Sequence, residues 1–267
     1  MGSERAWIND AVAKLGREAA RSADTQLLHL TLPGFPGIDF YLKDQAAHPT
    51  GSLKHRLARS LFLYALCNGR LRPRQAVVDA SSGSTAISEA WFARLLDVPF
   101  VAVLPATTAP GKLQELRTLG AECDLVERTE DIRPCIERHV RRGACFLDQF
   151  GLAEQATDWR GNNNIAESIL QQMSGEPYPE PAWIVCGAGT GSIVTLLCDR
   201  GERYAQTLYD PEWRRAHGLD PEPWVRLLRD CLSSSELPLP CEVDEDCAQT
   251  SGGTRRRRAD VLSEVDA

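Results

Sequence analysis

Ala76-Val77-Val78-Asp79-Ala80-Ser81-Ser82-Gly83-Ser84-Thr85-Ala86 decides the fold. A short apolar run ends in a cluster of small polar residues, and a helical pattern then occupies residues 84–96. Short runs rich in Val, Ile and Leu, without alternation, are what parallel strands buried on both faces require. A strand handing over to a helix through a tight polar loop is the repeating half of a β-α-β unit.

Outward from this stretch the exchange recurs. The pattern predicts strands at residues 76–80, 100–104, 124–126, 145–147, 183–186 and 193–198. It predicts helices at 53–67, 84–96, 111–119, 130–142 and 164–173, with a further helical turn ending near 231. The expectation is an α/β, doubly wound, mostly parallel sheet. Residues 1–20 carry Trp7, Ile8, Val12 and Leu15 at helical spacing and lack a continuous apolar core, so they are expected to belong to the fold rather than to a leader.

Composition narrows the class. The 267 residues suffice for one large domain or two modest ones, and 43% hydrophobic with 25% charged residues is ordinary for a globular chain. A formal net charge of -7 gives no overall field to attract nucleic acid or an anionic membrane, so neither is expected as a partner. No segment approaches the ~18 apolar residues of a span, and a cytoplasmic location is expected. From about Pro223 apolar residues thin out, and residues 224–267 read as a largely disordered tail. Its arginine run, residues 255–258, reads as solvated charge rather than a nucleic-acid signal. Nine cysteines are an odd, scattered set. Cys67, Cys186 and Cys198 fall in apolar runs, where a thiol packs as a small hydrophobe. Without a CxxC pair no metal site is expected.

Three loops hold the candidate chemistry. The first is Pro49-Thr50-Gly51-Ser52-Leu53-Lys54-His55-Arg56: a turn of small residues opens a helix with a lysine in its first turn. The helix dipole is positive there, and an amine whose charged form is disfavoured attacks carbonyls more readily. A plain surface lysine is the competing reading. The second, Ser81 to Thr85, offers amides and hydroxyls at a helix N-terminus, suited to a carboxylate or phosphate; alternatively Ser84 only caps the helix. The third is Gly187-Ala188-Gly189-Thr190-Gly191-Ser192, whose glycines let backbone approach a phosphate. It is not a dinucleotide fingerprint, because Ser192 stands where GxGxxG needs glycine.

In this order on an α/β pattern, the loops resemble those of the fold-type II pyridoxal-phosphate (PLP) enzymes, the cysteine synthase and cystathionine β-synthase family with the tryptophan synthase β-like fold. Lys43 and Asp44 lie where that family has its Lys-x-Glu lead-in, and Asp148-Gln149-Phe150 is similar to its Gln-Phe segment. Leu32-Pro33-Gly34-Phe35-Pro36-Gly37, Ser81 to Ser88, and Asp158-Trp159-Arg160-Gly161-Asn162-Asn163-Asn164 look most like the bacterial cysteine desulfhydrases.

The resemblance implies that Lys54 carries PLP and acts as the base, with Ser84, Gly187, Gly189, Thr190, Gly191 and Ser192 as further cofactor contacts. Ser81, Ser82, Gly83, Thr85 and Gln149 would hold the substrate carboxylate. It implies β-elimination on a small amino acid, cysteine to pyruvate, ammonia and sulfide, in a homodimer. β-Replacement forming cysteine from an O-activated serine is the alternative, and a non-catalytic remnant is a third. The family pattern breaks after Gly191: Ser192-Ile193 replaces Gly-Gly-Thr, and residues 193–204 resemble a strand and turn normally far downstream. The implied organisation is a catalytic domain over residues 1–223 whose second domain is incomplete after about 191. No later residue matches the family's pyridine-nitrogen contact. His55 follows Lys54 but is expected to point to another face of the helix, and His29, His48, His139 and His217 lack metal-ligand spacing and are expected to be mostly structural.

Overall fold

The structure is a computed structural model that describes residues 2–32, 38–81, 83–159, 165–181, 196–197, 209–216, 218, 222, 225–226 and 229. The chain divides into two compact units, residues 1–31 with 39–217, and residues 32–38 with 218–267. The second falls almost wholly outside the described residues, as do the tail, the expected strand at 183–186 and the third loop. The first unit carries the fold.

Its elements in chain order are α1 (Gly2–Ser22), β1 (Leu27–Leu30), β2 (Phe40–Asp44), α2 (Lys54–Cys67), β3 (Val77–Ala80), α3 (Ser84–Leu96), β4 (Phe100–Pro105) and α4 (Pro110–Thr118). They continue with β5 (Glu122–Val126), α5 (Ile132–Arg141), β6 (Cys145–Phe146), α6 (Ala153–Asp158), α7 (Ile165–Met173), β7 (Leu196–Leu197) and α8 (Pro211–Ala216). Four strands form a parallel sheet in the order β5-β4-β3-β6. The chain winds from β3 outward through β4 and β5, then returns to place β6 on the other side of β3. That reversal is a topological switch point, and in open α/β sheets the crevice outside the carboxyl ends of the two strands flanking it receives ligands.

Strand periodicity builds a core on both faces. Val77, Ala102 and Leu104 point into one cluster with Leu61, Phe62 and Leu66 of α2 and Ile87, Phe92 and Leu96 of α3. Val78, Val101 and Val103 point the other way, onto Cys135 and Ile136 of α5. Burying an aliphatic side chain of this size is worth about 1.5–3 kcal/mol, so both faces need their helices.

A second sheet pairs β1 antiparallel to β2, with β7 parallel on the far side of β2, Lys43 opposite Leu196 and Asp44 opposite Leu197. The sequence reading placed no strand at β1 or β2, and of 193–198 the described residues form a strand at 196–197. Cys67 corrects another expectation: at the last turn of α2 it faces outward and is exposed, because the apolar run before it buries other positions of the helix. Among the described residues no helix is long and apolar enough to cross a membrane.

Candidate active site

The lysine loop is built by a turn. Gly51 sits at φ 63°, where a side chain would be strained, and its N–H donates to the His48 carbonyl at 2.7 Å. Ser52, 1% exposed, then accepts the Lys54 backbone N–H on its hydroxyl at 3.1 Å. That satisfies one of the orphan donors of α2, and the Lys54 side chain is left exposed.

His55, next along, turns inward, as successive helix positions must. It is fully buried, with Nε2 2.8 Å from Glu18 of α1 and Nδ1 3.1 Å from the Thr50 hydroxyl. Thr50 Oγ1 lies 2.9 Å from Ser88 Oγ, and Ser88 also donates to the Ser84 carbonyl at 2.9 Å. Burial outweighs the neighbouring carboxylate and holds His55 toward its neutral form. In that form Nε2–H donates to Glu18 and Nδ1 accepts from the Thr50 hydroxyl, while the single Ser88 hydrogen is shared between the Ser84 carbonyl and Thr50. Burial pushes Glu18 up, but hydrogen bonds from His55 and Ser22 and the charge of Arg59 outweigh it and bring it down to about 2. His55 points to a different face from Lys54, as expected, and pins α1 and α2 together, with α3 reached through Thr50 and Ser88.

The second loop follows β3. The residue capping α3 is Gly83, without a side-chain cap, and Ser84 is the first helical residue. The capping reading of Ser84 is therefore set aside, and the first turn of α3 opens directly from the loop. A Cβ placed on Gly83 would meet nothing within 4 Å, so the loop borders open space. Ser81 and Gly83 are half-buried, Thr85 is buried, and Ser82 lies outside the described residues.

The third converging segment follows β6. Asp148 takes a left-handed φ of 57°, and the Gln149 N–H then donates to the Asp79 carboxylate at 3.0 Å. Gln149 Nε2 donates to the Ala80 carbonyl at 2.5 Å, and the side chain is 6% exposed. Phe150 is 84% exposed beside it. Asp79 and Glu89 went unread in the sequence. Both are buried acids, and each stands as the sole charge inside an apolar run, Val77-Val78-Asp79-Ala80 and residues 86–93. That interruption is the signal that could have found them.

Ser81, Gly83, Ser84, Thr85 and Gln149 thus follow the carboxyl ends of β3 and β6, and Lys54 opens α2, whose lead-in turn touches α3 through Thr50 and Ser88. Gly187, Gly189, Thr190, Gly191 and Ser192 lie outside the described residues. Lys43 is elsewhere: 2% exposed, it donates to the Thr25 carbonyl, Ser168 and Gln172 at 2.6, 2.7 and 2.6 Å, fastening α7 to the second sheet. A cavity of about 380 Å³ lined by Pro49, Thr50, Ile87, Trp91 and residues of α4 adjoins the lysine loop, but neither Lys54 nor Gln149 lines it. His139, read as lacking metal-ligand spacing, meets Asp124 at 2.8 Å near Cys135. Arg138 occupies that trio, 2.7 Å from Asp124 and 3.2 Å from Cys135 Sγ, so its positive charge is already supplied.

Residues 21–197 match the family described as pyridoxal-phosphate dependent enzyme. The chain belongs to that family. It is 53% identical over 217 residues to the L-cysteine desulfhydrase Cds1 of Mycobacterium tuberculosis, a match covering 78% of this chain and 59% of that protein. It is 31% identical over 189 residues to a putative cysteine synthase of Sinorhizobium fredii, covering 67% of this chain and 54% of the relative. A crystal structure of O-ureido-L-serine synthase superposes with a TM-score of 0.53 at 25% identity, covering 59% of this chain and 51% of the other. The chain thus spans little more than half the length of these relatives, and the expected fold-type II class holds over the part they share.

Proposed function

We propose that Lys54 holds PLP and that the chain catalyses β-elimination from L-cysteine. The observation that carries this is the Thr50–Ser88 contact, which ties the loop of the exposed lysine to the helix that follows the small-residue loop. The 53% identity to a cysteine desulfhydrase supports cysteine as the substrate.

The residues present suit the cofactor: an exposed primary amine for its aldehyde, with the Ser84 turn for its ring oxygen. Gly187, Gly189, Thr190, Gly191 and Ser192 would hold its phosphate. When bound, PLP supplies an electron sink that acidifies the α-proton of an amino acid and lets a β-substituent leave. The chain's own groups do the rest. Ser81, Ser82, Gly83, Thr85 and Gln149 hold the substrate carboxylate against the positive end of α3. The Lys54 amine takes the α-proton. Sulfide departs, and water completes the balance of cysteine and water giving pyruvate, ammonia and hydrogen sulfide. Residues 1–223 act as the catalytic domain in this reading, residues 224–267 as an appended tail, and two copies assemble as a homodimer.

The test is sulfide and pyruvate release from L-cysteine by the purified protein, compared with a Lys54→Ala variant. Equal yields of both products from the parent alone support elimination. Cysteine formed instead from an O-activated serine and sulfide favours β-replacement, the reading supported by the cysteine synthase relative. No product in either assay contradicts the proposal and leaves a non-catalytic remnant.

A further inference from the structure

Two carboxylic acids lie beneath the substrate loops with no cation among the described residues to balance them. Asp79, at the carboxyl end of β3, is 1% exposed, and Glu89, in the second turn of α3, is 0% exposed. Neither forms an ion pair with a described residue, and neither Glu89 oxygen has a hydrogen-bond partner at standard distance. Two buried like charges side by side are untenable; such a pair keeps a proton. Asp79, by contrast, is well supplied with donors: the N–H of Ala80 at 2.7 Å and of Gln149 at 3.0 Å. Amides pointing at a carboxylate favour its ionised form and are the stronger for its charge. The asymmetry assigns the roles within the pair.

We infer that Asp79 is a positioning residue: ionised, with the pair's proton resting on Glu89, its carboxylate fixes the Gln149 backbone and so presents the Gln149 amide to the substrate carboxylate. This rests on reading the loops as an amino-acid carboxylate site. The latch crosses the switch point, since Asp79 ends β3 and Gln149 follows β6. It braces a segment under backbone strain, because Asp148 adopts a left-handed conformation that L side chains rarely take. One of the two Gln149 amide hydrogens goes to the Ala80 carbonyl, leaving the other for a ligand.

Burial, then the charge and hydrogen bonding of Asp79, raise Glu89 well above the usual carboxylate range. Burial raises Asp79 to about 6 against the pull of its hydrogen-bond donors, with Asp148 adding to the rise. The sign is fixed by linkage: a carboxyl with a raised folded pKa contributes stability in full below its unfolded value and loses it as pH rises. Asp148 and Cys145 are the other titratable groups facing Asp79, so Asp148→Asn serves as the control for the slope.

The experiment follows amide hydrogen exchange in residues 147–151, thermal unfolding between pH 5 and pH 8, and cysteine turnover, in the parent, Asp79→Asn and Glu89→Gln. In Asp79→Asn the expected result is exchange at Gln149 at least tenfold faster. KM for cysteine should rise by at least tenfold, with kcat within about threefold. In Glu89→Gln, where a neutral amide replaces the protonated acid beside Asp79, Gln149 stays protected and the fall in Tm from pH 5 to pH 8 is flattened. Unchanged exchange in Asp79→Asn, a pH slope surviving in Glu89→Gln, or faster exchange without a KM change overturns the inference. Should Asp79→Asn fail to fold, Asp79→Glu, which lengthens the arm by one methylene, carries the same readouts. A parent that releases no sulfide contradicts the proposed function, while exchange and the pH slope still decide the latch.

Discussion

Thr50 Oγ1 and Ser88 Oγ meet at 2.9 Å, and through that contact the loop bearing Lys54 is tied to the helix that opens the carboxylate loop. Each side belongs to a larger construction. Thr50 continues through His55 to Glu18, and Ser88 returns to the Ser84 carbonyl. The distance between the candidate nucleophile and the candidate anion site is therefore set by buried hydroxyls rather than by the exposed loops themselves.

Ser88→Ala removes one member of this chain and leaves the buried Thr50 hydroxyl with one partner fewer. A loss of about 1–2 kcal/mol in unfolding free energy is expected, since an unsatisfied buried polar group costs that much. Urea unfolding measures it, and an unchanged midpoint would show that the contact carries no load.

Glu18 makes acid stability a further test. Its folded pKa is about 2 against 4.5 for the free side chain. A depressed carboxylate contributes stability above its unfolded value and loses it as pH falls through the folded one. Between about pH 5 and pH 2 the protein should lose about 3 kcal/mol from this group. Glu18→Gln should be less stable than the parent at pH 7 and show a shallower acid limb. The trend is opposite in sign to that of Glu89, so stability should peak in mildly acidic solution.

Gly151 stands against the Asp148 carboxylate. A Cβ there would lie 2.4 Å from Asp148 Oδ2, while Asp148 Oδ1 accepts the Gly151 N–H at 3.0 Å. Gly151→Ala must push that side chain away and break the bond that braces the turn. Destabilisation of about 1–2 kcal/mol is expected, with faster amide exchange at Gln149. Exchange equal to that of the parent would show that Asp79 alone suffices to hold the segment.

Much of this was legible. The apolar runs gave the four parallel strands, and Ser84 to Leu96 is a helix over the very residues its pattern indicated, because strong periodicity and buried strands leave few alternatives. The turns before α2 and α3 could be located because glycine and small hydroxyl residues cluster where the chain turns into a helix. β1 and β2 were not legible: Leu27–Leu30 and Phe40–Asp44 are short, and β2 ends in Lys43 and Asp44, charges that hydropathy sends to solvent. The tertiary acceptors Thr25, Ser168 and Gln172, with the Asp24 carboxylate, make a buried Lys43 tenable. Asp79 and Glu89 escaped for a related reason, since their partner is each other, in different elements and ten positions apart. Cys67 misled because an apolar neighbourhood in sequence does not say which side of a helix end faces water.

The central claim is that Lys54 carries the cofactor, and the visible absorption spectrum of the protein mixed with PLP tests it most directly. The parent should develop the yellow band of lysine-linked cofactor, retained after gel filtration, and Lys54→Ala, equally folded by circular dichroism, should not. A parent without the band, or the same band in both proteins, would contradict the account.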